Sequence, residues 1–361
     1  MTNPDTTTPT PPSGGKLGWR AWLLLALPVS WVFAALHLSA PLVFVAAGIA
    51  VLPLAGFMGE ATEHLAARSG PGIGGLLNAT FGNMAELIIA IVALRAGLVD
   101  LVKASITGSI LGNLLLILGL SLVAAGMNRP EVRFNRTAAG MSAAMLALAV
   151  IGLVFPALFH GLHPEAADDF RLSEAVAVIL AVTYVFSLVF SLKTHRRLFG
   201  GEPHPTVGPV WTTSRAVVFL ALATVGVAIE SEILVHAVEG VTASVGISET
   251  FLGLIVIPLI GNAAEHAAAV LVARKGQVDL ALQIALGSST QIALLVAPVL
   301  VFVGLFFGQS MNLVFTPFEV IALGLSTVVV AIITLDGESH WFEGVQLLAV
   351  YAMVVAAALF I

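Results

Sequence analysis

Over 361 residues the chain is 58% hydrophobic and only 10% charged, with a formal charge of −6 and no cysteine. A soluble domain carries roughly 25% charged residues, so a water-soluble fold would lack the charge to cover its surface, and a bilayer removes that need. The thin spread of charge argues against a nucleic-acid partner, and the absence of cysteine excludes a disulfide framework or thiolate metal site.

Residues 1–15 are rich in Thr, Pro and Ser, lack an apolar face and read as a disordered N-terminus. Lys16 and Arg20 introduce an apolar run to Leu38. A cleaved signal peptide is one reading of 16–38. A retained first transmembrane helix is the favoured one, because a second apolar run begins at once at Pro41. Runs able to cross about 30 Å of hydrocarbon follow near 41–67, 72–96, 98–126, 137–160, 172–192, 213–245, 249–273, 278–307, 316–335 and 341–361. Residues 193–212, with Gly200, Gly201, Pro203, Pro205 and Pro209, divide the chain in two. The Gly-rich stretch Pro71–Gly75 reads as a hinge.

The expected fold is therefore an all-α integral membrane protein of about eleven transmembrane helices. Placing the N-terminus in the cytoplasm puts Lys16, Arg20, Arg68, Arg129, Arg133, Arg136, Lys193, Arg196, Arg197, Arg215, Arg274 and Lys275 inside, and only Arg95, Lys103 and Arg171 outside. That bias is the charge asymmetry of an inserted membrane protein. It makes 193–212 a cytoplasmic linker and the cell (inner or plasma) membrane the expected location.

An internal repeat organises the spans. Gly82-Asn-Met-Ala-Glu86 recurs as Gly261-Asn-Ala-Ala-Glu265, and an offset of 179 also matches Ala90, Arg95, Gly97, Val99, Asp100, Leu101, Gly108 and Ser109 to identical residues. Glu60 pairs with Glu239 and Gly74 with Gly253. The copies lie on the third and eighth spans, an odd separation, so they cross the membrane in opposite directions. The expected domains are two inverted five-helix repeats, 39–192 (spans 2–6) and 213–361 (spans 7–11), plus the extra N-terminal helix. Inverted repeats characterise secondary transporters, whose sites lie near the midplane.

An intramembrane carboxylate is expensive and functional by default. In each copy Asn sits three and Gly four residues before Glu, so Gly82, Asn83 and Glu86 share one helix face, as do Gly261, Asn262 and Glu265. Glycine there lets a second backbone approach and frees carbonyl oxygens. Two facing carboxylates, amides and carbonyls form a hard oxygen cage that suits calcium better than a thiophilic metal, and two negative charges match one divalent ion. Neutral glutamic acids bonding across helices are the alternative. On the following spans Ser105, Ser109, Gly112 and Asn113, then Gln283, Gly287, Ser288, Ser289 and Gln291, form polar stripes. Ser109, Asn113, Ser288, Ser289 and Gln291 are read as pathway lining. For Ser105 and Gln283 tight helix packing is an equal reading.

The stretches Leu77-Asn-Ala-Thr-Phe-Gly-Asn-Met-Ala-Glu-Leu-Ile-Ile89 and Gly261-Asn-Ala-Ala-Glu-His-Ala-Ala-Ala-Val270 resemble the two alpha-repeat signatures of the CAX-type calcium/proton exchangers. These belong to the wider cation/calcium antiporter superfamily. Gly287-Ser-Ser-Thr-Gln291 is similar to the family's ninth-helix signature. The resemblance, which covers spans two to eleven, implies that Glu86 and Glu265 bind calcium and protons alternately, with Asn83, Asn262, Ser288 and Gln291 nearby. It implies a first span outside the repeated core, and a transporter rather than an enzyme, with calcium as substrate and no cofactor. The basic Lys193–Arg197 departs from the acidic segment of many relatives, which puts calcium sensing by that loop in doubt.

Other charges admit functional readings. Glu60, Glu63 and His64 on span two, and Glu230, Glu232, His236 and Glu239 on span seven, either line vestibules, Glu60 and Glu239 foremost, or are interfacial charge. Glu230 and Glu232 cannot share a face, so at most one lines a path. His160, His163, Glu165, Asp168 and Asp169 read as a solvated outer loop, and His266 as a packing histidine or a proton relay. Three rival functions were weighed. An intramembrane metalloprotease needs H-E-x-x-H or H-x-x-E-H, and neither occurs. A cation channel favours an oligomeric pore. A sodium/calcium or other divalent-cation exchanger shares the whole architecture.

Overall fold

A computed structural model describes residues 22–127, 129–163, 168–195 and 211–361. The expected disordered N-terminus and most of the linker lie outside these residues. The described chain is almost wholly helical: α1 (Ala26–Ala35), α2 (Ala40–Phe81), α3 (Met84–Arg95), α4 (Val99–Gly126), α5 (Arg136–Leu162), α6 (Asp169–Thr194), α7 (Thr213–Val245), α8 (Glu249–Gly261), α9 (Ala263–Arg274), α10 (Val278–Phe306), α11 (Pro317–Ile333) and α12 (Trp341–Ala358). A two-residue antiparallel ladder, β1 (Val132–Arg133) with β2 (Glu338–Ser339), ties two connections together.

Local chemistry sets the ends. Asn135, Thr212, Ser248 and Thr316 each accept a backbone N–H three residues on, and Glu319 completes a capping box with Thr316. Gly97 and Gly276, 179 apart, both hold left-handed φ values, +84° and +90°. At each, the residue after the glycine bonds back to the helix, Leu98 N to Ala93 O and Gln277 N to Val272 O. This is the glycine stop that a helix makes before a tight turn.

Seven helices among the described residues are long and apolar enough to cross a membrane, eight if the bent pair α8–α9 counts as one. That is fewer than eleven for identifiable reasons. α1 and α11 are apolar but shorter, with 10 and 17 residues. The expected span 41–67 is met by Ala40–Ser69, the first part of α2. The expected span 72–96 is not one straight helix: its first part continues α2 after a fold-back between Ala66 and Gly74, where a Cβ on Gly74 would lie 2.5 Å from the Ala66 carbonyl oxygen. A straight helix would hold these residues about 12 Å apart. The chain then breaks at Gly82–Asn83 before α3.

α4 and α10 form the centre, their most apolar windows 83% and 61% buried, whereas α5, α6, α7 and α12 bury only 22–33%. The outer faces of those helices carry Phe155, Val185, Phe186, Leu222 and Met353, each more than half exposed. In water such faces would aggregate, whereas a bilayer solvates them. The backbones of α4 and α8 touch at Gly108 and Leu254, leaving no room for a side chain. α2 and α7 pair along a largely aliphatic seam that includes Leu54, Met58, Ala61, Ala223 and Val227.

Candidate functional site

Both motif glutamates stand at a helix break. α2 ends at Phe81 and α3 starts at Met84, so Asn83 is the N-cap and Glu86 lies in the first turn. α8 and α9 meet at Asn262 with a 62° bend, and Glu265 lies in the first turn of α9. Each carboxylate thus sits at the positive end of a half-helix, the arrangement by which discontinuous membrane helices present charge and free backbone to an ion. Pro258, just upstream, helps to end α8.

The two copies interlock. A Cβ on Gly261 would lie 2.9 Å from Glu86 Cγ, and one on Gly82 would lie 3.4 Å from Glu265 Oε1. Gly261 therefore makes room for the Glu86 side chain, whereas a side chain at Gly82 would first meet the Asn78 carbonyl of its own turn, at 2.9 Å, and touch Glu265 only at van der Waals distance.

The asparagines cross over in the same way. Asn83 Oδ1 accepts from Ser288 Oγ at 2.8 Å and its Nδ2 donates to Gln291 Oε1 at 2.8 Å. Asn262 Nδ2 donates to Ser109 Oγ at 3.2 Å and to the Pro258 carbonyl at 3.1 Å. Ser288 also reaches Glu265. Three buried oxygens keep no hydrogen-bond partner: Glu86 Oε1, Glu265 Oε2 and Asn262 Oδ1. Among the described residues no cationic side chain pairs with either carboxylate. Buried acceptors left this way cost free energy unless a proton or cation meets them.

Short π-helical turns follow these side chains at Gly112–Ile117 in α4 and Ile292–Val296 in α10. Such turns are common at functional sites because they re-aim side chains and loosen the backbone ladder. Asn113, in the first of them, is buried with Nδ2 unpartnered.

Other expected residues fall elsewhere. Ser289 is buried, but its hydroxyl bonds the Ala285 carbonyl of its own helix. Ser105 likewise bonds the Val102 carbonyl. Glu239 is exposed, and Glu60 lies 3.9 Å from His64. Of the other two acids on α7, Glu230 is hydrogen-bonded to α1 and Glu232 pairs with Arg95 at the end of α3. His266 Nε2 is buried without a partner. Of the cluster expected in a solvated loop, His160 in the last turn of α5 bonds Asp169 at the start of α6, and Glu165 lies outside the described residues. The contacts of Ser30 and Trp31 with Glu230 carried no sequence signal, since a single Ser and Trp in an apolar run look like lipid-facing filler.

The family described as sodium/calcium exchanger protein matches residues 39–193 and 215–360. The chain is 43% identical over 362 residues to a Ca(2+)/H(+) antiporter of Synechocystis sp., covering 94% of this chain and 96% of that one. It is 41% identical over 332 residues to the Ca(2+)/H(+) antiporter ChaA of Bacillus subtilis, covering 91% and 94%. The structure of native YfkE superposes with a TM-score of 0.83 at 38% identity, covering 95% of this chain and all of that one. The H+/Ca2+ exchanger CAX superposes at 0.72 and 15% identity, covering 95% and 91%, a likeness of fold.

Proposed function

The chain belongs to the sodium/calcium exchanger protein family, and from that premise we infer that it is a secondary active antiporter exchanging calcium for protons. The observation that carries the reading is the set of partnerless buried oxygens, Glu86 Oε1, Glu265 Oε2 and Asn262 Oδ1, at the meeting of the two motif copies. They are oxygen acceptors with no protein donor, in a place where two carboxylates bring negative charge together, which favours a cation or protons as their occupants. Oxygen donors and two negative charges suit calcium, and the same carboxylates take protons when calcium leaves.

Glu86 and Glu265 bind the ion and the protons in turn. Gly261 gives the facing Glu86 side chain its space, and Gly82 lies against Glu265. Asn83, Asn262, Ser288 and Gln291 orient the cage, and Ser109 and Asn113 line the way to it. Calcium entering from the cytoplasm displaces protons, and the higher proton activity outside displaces calcium. The cycle needs two inverted five-helix repeats, 39–192 and 213–361, within about eleven spans, with the N-terminus and the 193–212 linker cytoplasmic in the cell membrane. Support for the repeats comes from the matching glycine stops at Gly97 and Gly276, the matching π-helical turns and the crossed asparagines. Support for alternating access comes from an asymmetry. Gly108 is packed hard against α8, while its equivalent Gly287 has nothing within 4 Å. A repeat pair shut on one side and open on the other has this pattern.

The test is uphill calcium movement into inverted vesicles driven by a pH gradient alone, without sodium. Wild type should accumulate calcium, and Glu86→Gln and Glu265→Gln, each lacking one of two required charges, should accumulate none while still inserting. Uphill movement that requires sodium would assign the sodium-coupled alternative. Only downhill flux would assign a channel.

A further inference from the structure

Helix α1 contributes nothing to the ion site, yet it is joined to the repeated core by a carboxylate inside the hydrophobic span of α7. We propose that Glu230 is the docking point of the N-terminal helix, and that through it α1 and α7 move as one body during transport. The proposal rests on the exchange cycle above, since it concerns which helices move together in that cycle.

Glu230 and Ser30 are both fully buried. Trp31 Nε1 donates to Glu230 Oε1 at 2.7 Å, and Oε2 lies 2.8 Å from Ser30 Oγ, which also stands 2.8 Å from the Leu27 carbonyl of its own helix, so α1 meets both oxygens. The donors are consecutive residues, about 100° apart around α1, so the grip sets the rotation of α1 as well as its height.

The internal repeat supplies a comparison. The position 179 residues before Glu230 is Val51, also fully buried. The repeat fold therefore tolerates an aliphatic side chain there, and the acid in the second copy answers to something the first copy lacks. That something is a hydrogen-bonded partner from α1.

The surroundings explain why a polar tie matters. The seam of α2 and α7 is aliphatic, and Leu24 and Leu27 of the N-terminal segment pack on it. Aliphatic contacts in lipid have little preference for one register over another, whereas a hydrogen-bonded polar group has one geometry. On a different face of α7, Glu232 pairs with Arg95 at the end of the helix that carries Glu86. α7 thus stands between α1 and the site helix, bonded to each.

The experiment measures proton-driven calcium uptake. Glu230→Val should lower the maximal rate about tenfold, the order expected for losing one buried hydrogen-bonded tie, with the half-saturating calcium concentration and the pH profile unchanged. Ser30→Ala with Trp31→Phe should do the same, and all three substitutions together should be no worse. The chain lacks cysteine, so Ser30→Cys with Glu230→Cys gives a clean pair. It should be slow when reduced and return to the wild-type rate once a short bis-methanethiosulfonate, losing a sulfinate at each cysteine as a disulfide forms, bridges the two helices. A bridged protein that stays slow or stops would overturn the proposal, as would a wild-type rate for Glu230→Val. A shift in half-saturating calcium or pH profile would place Glu230 on the ion path instead, which also overturns it. Failure of the wild type to accumulate calcium would be a failure of the exchange reading and is seen separately.

Discussion

Ser288 donates a 2.8 Å hydrogen bond to Asn83 Oδ1, joining the N-cap of one broken helix to the span that follows the other. The residues 179 positions away, Ser109 and Asn262, form the corresponding pair with the bond reversed, the amide donating. The first arrangement uses up the Asn83 carbonyl, and the second leaves Asn262 Oδ1 bare. If the ion sits at the proposed cage, Asn83 should act in part through Ser288 and Gln291, and Asn262 should meet the ion more directly. A double-mutant cycle on Asn83→Ala and Ser288→Ala, read as half-saturating calcium, should give a coupling of about 1 kcal/mol. Ser289→Ala should leave that value unchanged, because its hydroxyl faces the Ala285 carbonyl.

Gly261 is predicted to be the glycine whose substitution disturbs Glu86 most directly. An alanine methyl there would lie 2.9 Å from Glu86 Cγ, too close without displacement of the carboxylate. Overpacking of this kind costs about 1–3 kcal/mol. Gly261→Ala should lose roughly tenfold or more in calcium affinity, measured by flux against calcium concentration. Gly140→Ala on α5, with nothing within 4 Å of the added methyl, should bind calcium normally.

Proton competition has a fixed sign. Protons on Glu86 and Glu265 must leave before calcium binds, so calcium binding ejects them and acid weakens calcium. Lowering pH on the calcium side should raise half-saturating calcium about tenfold per unit if one proton competes, and about a hundredfold if two do. At high pH the dependence should vanish, because both groups are then already ionised. Apparent affinity measured across a pH series checks the slope.

Topology is tested at Ala96 and Lys275, which the 179-residue offset makes equivalent. Both are exposed and each precedes its left-handed glycine, Gly97 or Gly276, where a cysteine would be strained. Single cysteines at the two positions should label from opposite sides of the membrane. Labelling from one side would remove the inverted repeat and the span count with it.

Much of this protein was decided by sequence alone, for physical reasons. An apolar bilayer demands long apolar helices, so composition and run length expose the class. An acid in such a helix is too costly to be incidental, so Glu86 and Glu265 declare themselves, and an offset shared by Gly82, Asn83, Gly97 and Ser109 with their counterparts exposes the repeat. What only the tertiary structure decided was contact between segments far apart in the chain. Each motif glycine faces the other copy's glutamate, a relation that no local pattern encodes. The fold-back of α2 before Gly74 and the break at Gly82–Asn83 divide the expected span 72–96, because glycine and proline permit a bend without announcing its angle. Glu230, read as vestibule or interfacial charge, proved to hold α1, since periodicity assigns a residue to a helix face but cannot say which helix that face meets.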